Sequence, residues 1–184
     1  STVVTLPLDP FEEAPWSLVV RLLGPVGVSD RDGVDVIFER GKALELVAWM
    51  VGHRGASTRS AARAALWELD VRDATFSNVV SDARRALART ASPPAGDEWI
   101  GRTLTEHLPL HPLVVSDADL LRARLDGARG RSPREAIAVL RPGVELIAGM
   151  PFTGTDYLWP DAEGITSSLV VLATSAAAEL ARQH

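Results

Sequence analysis

The chain has 184 residues, of which 46% are hydrophobic and 23% charged, the proportions of an ordinary folded protein rather than a disordered one. Nineteen basic residues against 24 acidic ones leave a formal charge of −5, which argues against a uniformly basic nucleic-acid-binding surface. No apolar run approaches the ~18 residues of a membrane-spanning helix, and the absence of cysteine removes disulfides, thiolate metal sites and thiol nucleophiles and points to a reducing, cytoplasmic setting.

In chain order, Ser1 to Pro15 is proline-bearing and acidic and reads as a tail or linker. Because the chain begins at Ser1 without an initiator Met, it is expected to be a piece of a longer protein. Trp16 to Leu23 is apolar and β-rich; Gly24-Pro25 stops it, Val26 to Ser29 resumes, and a turn at Asp30 to Gly33 precedes Val34 to Phe38. That punctuation predicts a meander of two or three short strands. Lys42 to His53 shifts to helical spacing. Thr58 or Ser57 then caps a second helix, Arg59 to Trp67. A third helix, Thr75 to Arg89, places Phe76, Val79, Val80, Ala83 and Leu87 on one face and stops before Pro93-Pro94. Trp99 to Thr105 and Leu108 to Val115 read as the two strands of a hairpin.

From Ser116 onward the pattern is helical only. Ser116 is a cap for Asp117 to Asp126, and Ser132-Pro133-Arg134-Glu135 combines a capping Ser with Pro at the first helical position. That helix is expected to reach Gly149 with a kink or split at Pro142-Gly143. Ala162 to Arg182 reads as one long Ala-rich helix. The expected organisation is a tail over 1–15, a domain over 16–113 and a second, all-helical domain over 114–184.

Three helices closed by a β-hairpin behind an N-terminal strand group form the layout of an OmpR-type winged helix. The stretch from Arg21 carries Leu23-Gly24-Pro25 in its opening strand, Ala65-Leu66-Trp67 at the end of the second helix, and Ser81-Asp82-Ala83-Arg84-Arg85-Ala86-Leu87 in the third. It resembles the DNA-binding domain of Streptomyces antibiotic regulatory proteins and their AfsR-like relatives. The remainder resembles the bacterial transcriptional activator domain that follows it in those proteins, a helical unit similar to tetratricopeptide repeats. The matching residues are Val115-Ser116-Asp117, Pro133 to Ala136, Gly149-Met150-Pro151-Phe152, and Trp159 with Ala162-Glu163. The resemblance covers about 16–184. It implies a mainly α fold with small β elements, a transcriptional regulator contacting promoter DNA, and a helical domain for dimerisation or activation contacts. The sequence departs from the family at Asp73 and Asp82, where Arg is common, and in the wing, which lacks the Gly-x-Gly-Tyr-Arg turn.

A recognition helix reads base edges with its exposed face while helix N-termini and flanking arginines hold phosphates. The candidate DNA-contacting residues are therefore Thr75, Ser77, Asn78, Ser81, Arg84, Arg85 and Arg89 on the third helix. Thr58, Arg59 and Arg63 on the second helix and Arg102 on the wing complete the set. Between Arg54 and Arg102, eight arginines face six carboxylates, a small local excess of positive charge. The tryptophans at helical positions, Trp49, Trp67 and Trp159, are expected in the core. His53, His107, His111 and His184 lack metal-ligand spacing, no phosphate-binding glycine loop occurs, and no nucleophile triad is suggested. Neither an enzyme, a metal nor a cofactor is expected. The expected partners are double-stranded promoter DNA and, through the helical domain, a protein or a second copy of the chain. The alternative is a protein–protein interaction module with degenerate DNA binding, the cytosolic C-terminal region of a larger, membrane-anchored protein.

Overall fold

The computed structural model describes Leu8 to His184; the first half of the expected tail, residues 1–7, lies outside the described residues. Seven α-helices and one three-stranded sheet make up these described residues. β1 (Leu18–Arg21) lies between β2 (Gly27–Asp30), antiparallel to it, and β3 (Val114–Ser116), parallel to it with Leu18 opposite Val114. The expected third meander strand, Val34 to Phe38, contributes only a single bridge between Asp35 and Ser29.

α1 (Gly41–Gly52) is buried on nearly every side, as expected of a helix apolar all round, and both the sheet and the next two helices pack on it. α2 (Arg59–Leu66) starts at Thr58, whose hydroxyl accepts the Ala61 N–H at 3.1 Å. α3 (Asp73–Thr90) buries Phe76, Val79, Val80, Ala83, Ala86 and Leu87, a single stripe at helical spacing that packs against α1.

The hairpin differs from its expected form. Residues 99–111 pair through one bridge, Ile100 with Leu110, supported by Gly101 N–H to Pro109 O at 2.9 Å and His111 N–H to Trp99 O at 2.8 Å. The end of the expected second strand instead becomes β3 and leaves the hairpin for β1. Burial decides this, since Val114 is fully buried against β1 whereas the hairpin tip, Arg102 to His107, is exposed.

α4 (Asp117–Gly127) opens with a reciprocal cap: Ser116 accepts the Asp119 N–H, and Asp119 accepts the Ser116 N–H. α5 (Pro133–Val144) runs through Pro142 rather than kinking there, and ends at Val144 instead of Gly149. Pro142 falls in the final turn, where little helix follows it to be disrupted. Gly143 is needed for close approach, since a Cβ there would lie 3.0 Å from Leu121 Cδ1 of α4. α6 (Trp159–Ala162) and α7 (Ile165–Gln183) replace the single helix expected from Ala162, because Gly164 adopts a left-handed φ of 72°.

The expected boundary at residues 113–116 falls on β3. One continuous core joins Leu18, Val20 and α1 to Ala118, Leu121, Trp159 and Leu169. Asp117 stands at this joint, buried, accepting the N–H groups of Leu22 at 2.8 Å, Leu23 at 3.0 Å and its neighbour Ala118 at 2.9 Å. Burial outweighs those three donors and pushes its carboxyl up to about 6. The folded protein then binds this proton more tightly than an unfolded chain, where the ordinary value is 3.8. Stability from this group is fully present below the lower value and is lost as pH rises through the higher one. Acidification from about pH 7.5 to about pH 5 should therefore stabilise the wild type relative to Asp117→Asn, by up to about 2 kcal/mol. Thermal melts of both proteins across that range check this; a pH-independent difference would contradict it.

Candidate nucleic-acid interface

α3 turns its polar row outward. Thr75, Ser77, Asn78, Arg85 and Arg89 are exposed and Ser81 is half-buried, opposite the stripe that anchors the helix on α1. The half-buried start of α2 lies beside it: Arg59 reaches Ser77 Oγ at 3.5 Å, and the guanidiniums of Arg59 and Arg63 sit over the Phe76 ring at 5.3 Å and 5.8 Å. Thr58, Arg59, Arg63, Thr75, Ser77 and Asn78 thus share one region. Arg85 and Arg89 continue it along α3, while Arg102 projects from the hairpin with its side chain 69% exposed.

Arg84 is placed differently. Its side chain is only 11% exposed, donating from Nε to Ile100 O at 2.9 Å and pairing with Glu98 at 3.2 Å. It faces the hairpin, not solvent, and fastens that hairpin to α3. A periodicity reading puts Arg84 beside Arg85 without showing that the hairpin covers one and leaves the other.

Carboxylates interrupt the positive charge. Arg63 pairs with Asp73 at 2.5 Å, Arg85 with Asp82, and Arg102 with Glu98 at 3.0 Å. Asp82 is also held by Arg40, 3.1 Å away at the start of α1. Among the described residues Arg59, Arg72 and Arg89 have no carboxylate partner, and Arg89 instead donates to Ile37 O at 3.4 Å. At the tip of the hairpin, Glu106 reaches the first turn of α2, accepting the Ser60 N–H at 3.1 Å and the Ser60 hydroxyl. Those two bonds, ahead of the nearby Arg59 and Arg63, hold the Glu106 carboxyl below the usual carboxylate range. A helix N-terminus with its free N–H groups is where a phosphate would be held, and here a carboxylate occupies it.

Sequence reading missed Arg40, Arg72, Glu98 and Glu106 as parts of this region. Arg72 carried a local signal, lying immediately before α3. Arg40 and Glu106 carried none, because their partners lie 42 and 46 residues away. Among the described residues no three His, Asp or Glu side chains converge as metal ligands do. None of their helices is long and apolar enough to cross a membrane.

No family model matches the chain, and no curated protein sequence does. A solved structure of Mycobacterium tuberculosis EmbR in complex with a low affinity phosphopeptide is similar to it, with a TM-score of 0.70 and 20% sequence identity. The similarity covers 90% of this chain and 45% of that one, so this chain spans less than half of the EmbR length. At such identity the likeness shows the fold alone, a mainly helical chain with a small three-stranded sheet, like the matched part of EmbR.

Replacing Arg84 by Met keeps its stem but removes both contacts to the hairpin. The expected cost is about 1–3 kcal/mol of stability, with faster amide exchange at Gly101 and His111 and retained protection inside α3. Unchanged exchange in the hairpin would show that Arg84 does not hold it.

Proposed function

We propose that the chain is the DNA-docking part of a transcriptional regulator. In this reading α1 to α3 and the hairpin act as a winged helix, with α3 as the recognition helix in the major groove. The observation that supports it is the polar, uncovered outer row of α3, which lies beside the α2 N-terminus and Arg59 and carries Asn78 and Arg85 exposed. Asn78 can pair with adenine and Arg85 with guanine. Thr75, Ser77 and Ser81 supply shorter polar contacts, and Thr58, Arg59, Arg63, Arg89 and Arg102 supply phosphate contacts. The helices after β3 form the second domain of this reading, a tetratricopeptide-like unit contacting a protein partner or a second copy. Its workplace is the cytoplasm.

A second reading, a protein-interaction module with residual DNA binding inside a larger protein, is favoured by the carboxylates Asp73, Asp82, Glu98 and Glu106 on the same face. The two readings differ in salt dependence. Four arginines, Arg59, Arg63, Arg89 and Arg102, are assigned to phosphates, so one copy on DNA should give a slope of about −4 in log K against log salt. Two copies side by side should give about −7.

Anisotropy titrations of promoter and random duplexes at two salt concentrations distinguish them. Salt-sensitive binding with sequence preference supports the regulator; no binding at low salt leaves the interaction module. If the chain binds, Arg85→Ala should weaken specific binding by about 1–3 kcal/mol while changing random-duplex binding less. Glu106→Gln, which vacates the α2 N-terminus of charge, should raise affinity for both duplexes and steepen the salt slope. An unaltered Glu106→Gln isotherm would place the DNA backbone elsewhere.

A further inference from the structure

Residues Leu8 to Pro15 form neither helix nor strand, yet they lie on the helices after β3. The contact centres on Arg124 of α4, a buried arginine whose side chain is only 10% exposed. Its Nη1 donates to Val139 O of α5 at 3.0 Å and to Asp9 Oδ2 at 2.7 Å. Nε lies 3.7 Å from Glu13 Oε1, and the Phe11 ring lies 4.9 Å from the guanidinium carbon. Phe11 packs beside Leu125 and Leu180 on the small apolar cluster of Ala128, Ala136, Val139 and Leu140. Gly127 makes room for the ring, since a Cβ there would lie 2.6 Å from Phe11 Cε2.

Among the described residues, every carboxylate paired with Arg124 comes from this N-terminal segment, and none comes from the helices around it. A buried guanidinium without an anion is costly, so the helical part contains a site that is complete only with an acidic chain seated on it. The surroundings suit such a chain: from Ala118 to Glu145 six arginines stand against four carboxylates, in a protein with a net charge of −5. The site reads three positions, an aspartate, a phenylalanine two residues later and a glutamate two residues after that.

We infer that α4, α5 and α7 form a peptide-binding site for an acidic–aromatic segment of the pattern Asp-x-Phe-x-Glu, occupied here by the chain's own residues 9–13 as an internal competitor. The occupant in trans is a partner protein's segment of this same chemistry: the carboxylates answer Arg124, and the ring fills the space above Gly127. A tethered segment competes at an effective concentration in the millimolar range. An external segment therefore binds well only when the internal one is released.

The test uses the whole chain with its own segment disabled by Asp9→Asn, Phe11→Ala and Glu13→Gln together. The probe is a fluorescent peptide carrying Leu8 to Ala14. The triple variant should bind it saturably, and the wild type at least tenfold more weakly. In the peptide itself, replacing Asp by Asn or Phe by Ala should weaken binding to the triple variant at least tenfold. These peptide variants need no change in the protein, so misfolding cannot account for the result. Circular dichroism is used to check that the triple variant is folded. A folded triple variant that ignores the peptide, or binds its Asp→Asn and Phe→Ala versions equally well, would overturn the inference. DNA titration results bear on neither outcome.

Discussion

Leu22 and Leu23 leave the sheet at the end of β1 with four peptide groups that have no strand to pair with, in a place where water does not reach. Both residues are buried, and unpaired buried peptide groups cost about as much as lost hydrogen bonds. Their N–H groups go to the Asp117 carboxylate, and their carbonyls accept from Phe152 N–H at 3.1 Å and Ala148 N–H at 2.7 Å. Satisfying this short stretch therefore fixes the start of α4 and the loop between α5 and α6 on β1. Gly24 completes the turn: its φ is 142°, and a Cβ would meet Ala148 at 3.0 Å. A second line of contacts runs from α1. Glu45, buried, accepts from Trp159 Nε1 at 3.0 Å and from Lys42 Nζ at 2.9 Å, and His53 stacks on Trp49 while meeting Glu163 at 2.8 Å. The helices after β3 are thus held by polar contacts specific enough to set their position on the first three helices.

That arrangement leaves α3 free, and its charge decides what it can do. An exposed ion pair is worth about 0–1 kcal/mol. An arginine that exchanges a carboxylate for a phosphate therefore gains little beyond counterion release. On the proposed reading Arg63 and Arg102 would make such exchanges, whereas Arg59 and Arg89, which have no carboxylate partner among the described residues, would not have to. On the proposed DNA-docking reading, discrimination would rest on the geometry of α3 and on Asn78 and Arg85 more than on bulk attraction.

What was legible in the sequence was local. Thr58, Ser116 and Ser132 cap their helices as their spacing implies, because a cap is satisfied within three residues. The inner stripe of α3 was legible for the same reason. Gly164 was misread because the alanine-rich periodicity that follows it was extended back across it to Ala162, and periodicity does not report a single left-handed residue. The parallel pairing of Leu18 with Val114, the Arg40–Asp82 pair and the hold of Asp9 on Arg124 join residues far apart in the chain, and no periodicity reports them. The order of helices and hairpin was legible from periodicity and turn residues, but not the burial of Arg84 under that hairpin.

Two surfaces share one device. At the α2 N-terminus the Glu106 carboxylate sits where a phosphate would sit, and at Arg124 the Asp9 and Glu13 carboxylates sit where a partner's acids would sit. In each case an internal anion completes an electropositive site, which lowers the apparent affinity for an external anion by the fraction of time the site stands open. The two closures differ in strength for a physical reason. Glu106 is exposed at a hairpin tip and exchanges with solvent at little cost, whereas release of Asp9 and Glu13 uncovers a buried guanidinium and an aromatic ring together. The α2 end is therefore open to ready exchange, while the Arg124 site stands open for a smaller fraction of the time and taxes an external segment more heavily.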